Sequence, residues 1–279
     1  MPFAFLIIAY VLGGVALDNP YLVEAFEEGN FTDSLIGGSV VPHSDYPELV
    51  YLVNGLGERC SGSIVGPKVI LTAAHCVDSV GNVLNYFNGP DFPKFYAHCD
   101  MTPQYASGGE DLDFALCKNL AGPILNAKPA TLSKVAVTLG ETITLVGYGC
   151  VIPGGGGGND GTLKAGYAQV TQTPLPPNND WFWTEAKDAA LCFGDSGGPV
   201  FKKGTHSIIG VNSRGNIHDV SLLTAMYLPR SRAFMKSWAK KNKVGICGIN
   251  LKCRQPVNMK FLNDTINDVE DEDTTEGDD

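Results

Sequence analysis

Beyond its first residues this 279-residue chain lacks any apolar run long enough to span a membrane. Phe3 to Val15 is apolar but falls short of the roughly 20 residues that a spanning helix needs. No Lys or Arg precedes it, and it leads into the small residues Gly14-Val15-Ala16. It therefore reads as a signal peptide over 1–16 rather than an anchor, and the expected location is secreted, extracellular or periplasmic. Pairs of closely spaced Cys/His clusters are missing, which argues against zinc. The five glycines Gly154 to Gly158 lack a following Gly-Lys-Ser/Thr, so they read as a surface loop and not a phosphate cradle. Basic residues are absent from 264–279, where nine acidic side chains lie. Most of the formal net charge of −10 sits there, and a segment so polar reads as a disordered acidic tail. The body is then nearly neutral, with no expected nucleic-acid or membrane partner.

What the chain has is a nucleophile and a base in separate halves. Gly194-Asp195-Ser196-Gly197-Gly198-Pro199 offers a serine among glycines, and Leu71-Thr72-Ala73-Ala74-His75-Cys76 offers an imidazole. Serine at its ordinary pKa is a weak nucleophile, so it needs a base within hydrogen-bond reach and donors aimed at the developing oxyanion. Glycines at 194, 197 and 198 allow a tight turn that points successive N–H groups at one spot. A third member should be a buried carboxylate that orients the imidazole. Asp113, in Leu112-Asp113-Phe114-Ala115-Leu116, has apolar surroundings; Asp111 is the runner-up. His43, His98, His206 and His218 are scattered singly and read as ordinary histidines. Asn30-Phe31-Thr32 and Asn263-Asp264-Thr265 match the glycosylation pattern, a frequent chance match.

The remaining pattern is short strands. Leu49 to Val53, Cys60 to Val65, Val69 to Leu71, Thr142 to Val146, Ser207 to Val211 and Leu222 to Leu228 are alternating or β-branched runs, separated by Gly, Pro and Asn clusters. Ser231 to Lys243 carries Phe234, Met235 and Trp238 at helical spacing, with Lys240, Lys241 and Lys243 at the end where cations are favoured. Eight cysteines in a chain read as exported imply a disulfide framework.

The order His75, Asp113, Ser196, with TAAHC and GDSGGP around the first and last, resembles the chymotrypsin/trypsin family of serine proteases over roughly Leu35 to Lys243. The resemblance implies an all-β fold of two antiparallel six-stranded barrels, at 35–133 and 134–243, with the C-terminal α-helix closing the second. It implies a propeptide over 17–34, leaving 244–263 as a disulfide-closed extension. The activity implied is that of a secreted serine endopeptidase made as a zymogen, with His75 as base, Asp113 as its orienting carboxylate and the N–H groups of Gly194 and Ser196 as oxyanion hole. No metal or organic cofactor is expected. The partners expected are a protein or peptide substrate and a protein inhibitor, on a monomeric enzyme. Two alternatives stand beside it: an inactive protease-like binding module, and an esterase using the same triad.

Cys60–Cys76 matches the family's bridge beside the catalytic histidine. Among the other six cysteines the expected pairs are Cys150–Cys192, Cys99–Cys117 and Cys247–Cys253. This set departs from the family's usual one, because no cysteine lies between 192 and 247 to serve as the common partner of Cys192. Leu35-Ile36-Gly37-Gly38 resembles the family's mature start, whose α-amino group pairs with the aspartate before the nucleophile, here Asp195. The preceding Asp33-Ser34 departs from the usual basic cleavage signal. Ser213-Arg214-Gly215 matches the segment that pairs with substrate backbone. Ala190 stands where trypsin-like members carry an aspartate, and Ala225, placed by counting from Tyr227, is expected to narrow the pocket that Gly215 leaves open. The expected slot is neutral and apolar, suited to Leu, Met, Phe or Tyr before the cut, or to smaller residues if Leu191 or Phe193 folds inward.

Overall fold

The computed structural model describes residues 35–77, 83–87, 95–124, 128–157, 161–175 and 179–253. The expected signal peptide, propeptide, acidic tail and both glycosylation patterns lie outside them. In chain order the first half contains β1 (Ser39–Val40), β2 (Leu49–Val53), β3 (Arg59–Gly66), β4 (Val69–Thr72), β5 (Val83–Phe87), β6 (Phe95–Met101), the short α1 (Pro103–Ala106) and β7 (Ala115–Asn119). The second contains β8 (Thr131–Leu132), β9 (Thr142–Gly147), β10 (Lys164–Gln172), β11 (Trp181–Ala186), β12 (Pro199–Lys202), β13 (Ser207–Gly215), β14 (Val220–Ala225) and α2 (Pro229–Asn242).

Six strands in the order β2-β3-β4-β7-β6-β5 form a closed barrel. In the second sheet β9, β10, β11, β14, β13 and β12 pair in turn, and β12 returns to β9, so these six also make a ring. Every neighbouring pair in both rings is antiparallel, and closure covers the edges of each strand along its paired stretch. The expected boundary at 133–134 is crossed from both sides of the first barrel, since β1 pairs with β10 and β8 pairs in parallel with β13.

Alternation drives the local structure. In β10 the burial pattern switches residue by residue from Lys164 to Gln169, as a strand with one face on the core requires. β3 and β4 are buried almost throughout because the second barrel or α2 covers the faces that would otherwise meet water. The strand read from Leu222 to Leu228 instead runs from Val220 to Ala225. Pro229 stops it by fixing the first turn of α2, where a missing N–H costs nothing. Met235, Trp238 and Ala239 bury that helix, Phe234 packs edge-on against Phe114 at 5.5 Å, and the Trp238 indole N–H donates to Asp100. Lys243, in the left-handed region at φ 53°, ends it.

One hydrophobic cluster runs through the first barrel and across the interface to Tyr148, Phe201, Val211 and Trp238, while a second fills the other barrel around Phe182, Leu145 and Leu223. Tyr51 and Tyr148 meet edge to face across the interface at 5.6 Å, and buried His206 Nδ1 lies 2.6 Å from Glu48 Oε1 of the opposite barrel. The four disulfides are Cys60–Cys76, Cys99–Cys117, Cys150–Cys192 and Cys247–Cys253, the set expected from the sequence.

Candidate active site

His75 sits in a single 3-10 turn, Ala74–Cys76, directly after β4, and the Cys60–Cys76 bridge fastens that turn to β3. Asp113 approaches from the loop before β7, where Leu112 takes a left-handed φ of 55°. Its carboxylate is 2% exposed and accepts three hydrogen bonds: from His75 N–H at 3.0 Å, from His75 Nδ1 at 2.7 Å and from the Ser213 hydroxyl at 2.5 Å. Burial pushes the Asp113 carboxyl upward, but the hydrogen bonds and charge of His75 together with Ser213 outweigh it and hold the group below its ordinary value. Among the described residues the carboxylate that reaches His75 is that of Asp113, whereas Asp111 lies near Asp180, whose carboxyl is raised first by burial and further by the Asp111 charge, against the pull of Arg230. The neighbouring sulfurs of Cys60 and Cys76 are joined to each other, which leaves no thiolate beside His75 for a metal.

Ser196 stands in the turn between Cys192 and β12. Its hydroxyl donates to the carbonyl of Ser213 at 3.4 Å. The glycines around it are dictated by space and φ. Gly197 has φ 82°, and a Cβ there would lie 2.1 Å from Thr72 Oγ1; a Cβ on Gly198 would lie 2.3 Å from the Val146 carbonyl. The Phe193 carbonyl accepts from Cys150 N–H at 2.8 Å, and the Asp195 carbonyl accepts from Gly198 N–H and the Asn212 amide. A trans peptide points its N–H opposite its carbonyl, so Gly194 N–H turns away from Cys150 and Ser196 N–H away from Gly198 and Asn212. Among the described residues neither N–H finds a protein acceptor, and both residues line the cleft.

The turn that carries Ser196 is held by residues that the motifs did not mark. Ser61, fully buried on β3, donates its N–H to the Ser196 carbonyl at 2.8 Å and its hydroxyl to the Gly194 carbonyl at 2.8 Å, and accepts from Tyr148 N–H. One small side chain of the first barrel thus fixes a loop of the second. Asp195 is buried, accepts N–H bonds from Gly149 at 2.8 Å and Cys192 at 2.9 Å, and lies against Gly149, where any Cβ would collide with its carboxylate. Burial raises its carboxyl to about 7, against the opposing pull of these bonds and the Lys164 ammonium. Lys164, 2% exposed at the start of β10, donates to the Gly149 carbonyl at 3.0 Å and so braces the same glycine through the following peptide. Leu35 is fully buried in the second core, with φ 48°. Nothing in the local sequence around Ser61 or Lys164 distinguishes them, because their roles come from pairings many residues away.

The cleft encloses about 690 Å³ and is lined by His75 and Ser196 together with Leu191, Cys192, Phe193, Ser213, Arg214, Gly215 and Ile217. Ala190 lies behind it, fully buried, donating its N–H to Ile36. Ala225 is not on the cleft: it pairs with Gly210 in the core of the second barrel. The residue opposite Gly215 is Ser221, whose hydroxyl accepts from Leu191 N–H at 3.0 Å. Part of the offset has a local cause. The count from Tyr227 along β14 falls four residues from the partner of Gly215, and the β13–β14 register shift between Asn212 and Arg214, a bulge at Ser213, accounts for one residue by carrying Gly215 from Val220 to Ser221. The same bulge turns Ser213 toward Asp113. Leu191 is 3% exposed and folded inward, whereas Phe193 is 58% exposed and lies over Gly155 of the glycine run.

Comparison with known proteins agrees with this architecture. The sequence profile of the trypsin family, described as Trypsin, matches residues 35–232. An alkaline trypsin C of Manduca sexta is 26% identical over 210 residues, covering 65% of this chain and 80% of that protein. A trypsin-like protease of Streptomyces glaucescens is 29% identical over 187 residues, covering 61% and 67% respectively. Among solved structures, a scabies mite inactivated protease paralogue superposes with a TM-score of 0.61 at 16% identity, covering 76% of this chain and 99% of the other. Mouse neuropsin, a serine protease, does so with a TM-score of 0.57 at 21% identity, covering 73% and 96%. With two six-stranded rings, the cleft between them and a profile match over most of its length, this chain belongs to the chymotrypsin/trypsin-like family of serine proteases.

Proposed function

We propose that the protein is a secreted serine endopeptidase, and the observation that carries this reading is the convergence of the Asp113–His75 pair and Ser196 on one cleft. His75 takes the hydroxyl proton of Ser196 as that oxygen attacks the scissile carbonyl, and returns it to the leaving amine; water then repeats the cycle on the acyl-enzyme. Asp113 keeps the imidazole proton on Nδ1 and stabilises the charged ring. The N–H groups of Gly194 and Ser196 receive the oxyanion. An oxidising compartment is supported by four disulfides and by the apolar run at Phe3 to Val15.

Cleavage before Leu35 activates the zymogen on this reading, its new α-amino group joining Lys164 as a cation near Asp195. The primary pocket takes uncharged side chains, because Ala190, Leu191 and Ser221 supply no charge to a buried substrate ion. With Leu191 inward and Ser221 facing Gly215, small and medium apolar residues fit better than aromatic ones.

The test is covalent labelling and turnover of the purified, processed protein. A serine-reactive phosphonate is expected to modify Ser196, and Ser196→Ala or His75→Ala to lower peptide hydrolysis by several orders of magnitude. Folded protein that is neither labelled nor active on a peptide library is a binding module instead; hydrolysis of small esters without peptides is the esterase outcome. N-terminal sequencing of the active form tests the activation site.

A further inference from the structure

A charged clasp crosses the cleft beside the nucleophile. Arg214 of β13 donates from Nη1 to Glu110 Oε2 at 3.0 Å and from Nη2 to the Glu110 carbonyl at 3.3 Å. The two residues come from opposite barrels: Glu110 lies in the loop that delivers Asp113, and Arg214 follows Ser213, which holds both Asp113 and the Ser196 hydroxyl. Both line the cleft. The partners are unequal. Arg214 is 40% exposed, with its guanidinium 5.8 Å from the Trp181 ring centroid and a bond to main chain, whereas the Glu110 side chain is 72% exposed. The guanidinium is the anchored half, and the carboxylate is the half that water or a ligand can replace.

The backbone beside it is open to a peptide. β12 pairs with β13 only as far as Val211, so from Ser213 to Gly215 the side of β13 that faces Ser196 carries no strand. An extended chain laid there adds a strand, and alternate side chains then face the wall of the cleft. We propose that Arg214 is a specificity-determining residue that binds a carboxylate side chain of the substrate, on the acyl side of the cut and outside the primary pocket, by exchanging it for the carboxylate of Glu110. The swap is like for like at Nη1, while the bond to the Glu110 carbonyl stays in place. A guanidinium has five N–H donors, so the clasp leaves it able to bind bidentately. An exposed ion pair is weak and screened by salt, so its displacement costs little, while an incoming carboxylate held between two barrels is less exposed than Glu110 is now.

The proposal deepens the peptidase reading, and its test is built to read binding without turnover. Peptides with one Asp walked through the four positions before the favoured cut residue, and the same series with Ala and Lys, are titrated against the full Ser196→Ala protein by fluorescence anisotropy. One Asp position is expected to bind about tenfold tighter than its Ala counterpart at low salt, with the advantage shrinking as salt rises. Arg214→Ala is expected to bring the Asp/Ala ratio to about one, and Glu110→Gln to increase it by removing the competitor. Equal binding of Asp and Ala peptides overturns the proposal, as does tighter binding of Lys peptides, which would make Glu110 the selecting group. An unchanged ratio in Arg214→Ala overturns it too. Should the unmutated protein prove inactive, an Arg214-dependent preference for Asp peptides would still uphold this subsite while the peptidase reading fell.

Discussion

Replacing Asp113 by Asn is the sharpest probe of the site, because all three contacts of the carboxylate are with donors. An amide has one acceptor oxygen and one NH₂. If its oxygen takes the place of Oδ2, it serves the imidazole and Ser213, but the NH₂ confronts His75 N–H. If it is turned over, the NH₂ faces both Nδ1 and the Ser213 hydroxyl. Imidazole can then accept only by moving its proton to Nε2, where it can no longer take one from Ser196. Either arrangement leaves a buried donor unpaired, at about 1–3 kcal/mol, and removes the charge that stabilises imidazolium. The expected folding loss is therefore a few degrees in Tm. The expected loss in kcat is about 10⁴-fold, or about 5.5 kcal/mol, the scale of this swap in a Ser-His-Asp triad. Thermal melts together with the phosphonate labelling rate separate the two effects. Asp111→Asn serves as control and should label at the original rate. Retention of more than a tenth of the activity in Asp113→Asn, or an equal collapse in Asp111→Asn, would refute the assignment.

Two further outcomes follow from the same geometry. Because burial raises Asp195 from its ordinary 3.8 to about 7, the folded protein binds more protons than the unfolded chain between those values. Its contribution is full below about pH 4 and is lost as pH rises through 7, by up to about 4 kcal/mol. Melts of uncleaved Ser196→Ala and of uncleaved Ser196→Ala with Asp195→Asn across pH 4–8 should show the difference between them changing in that direction, and a difference that is flat or of opposite sign would contradict it. Ser221→Gly should open the pocket opposite Gly215 and shift cleavage toward larger residues, at a stability cost of about 1 kcal/mol for the lost bond from Leu191 N–H. A substrate panel varying only the residue before the cut checks this, and an unchanged profile would place the pocket wall elsewhere.

What could be read from the chain alone is what short-range chemistry encodes. TAAHC and GDSGGP announce a base and a nucleophile because a catalytic turn demands particular residue types side by side, and Gly197 shows why: its φ of 82° and the adjacent Thr72 hydroxyl exclude any side chain. Strands such as Leu49–Val53 and the buried stripe of α2 were legible for the same reason, since period and turn chemistry are local. Of the four disulfides Cys60–Cys76 followed from the resemblance, whereas the other three depart from the family's usual set and are decided by the fold, as where the β6–β7 register sets Cys99 opposite Cys117. Tertiary structure alone decided the rest. Only folding brings Ser61 beneath Ser196 and sets Glu110 against Arg214, joining residues far apart in the chain, and only the β9–β10 pairing lays Lys164 against Gly149. The bulge at Ser213 is the clearest instance. The ladder sets Ala225 opposite Gly210 in the core, and a single shift of register beyond it, invisible in residue types, carries Gly215 from Val220 to Ser221, because a strand's neighbours are fixed by the ladder it joins and not by its own sequence.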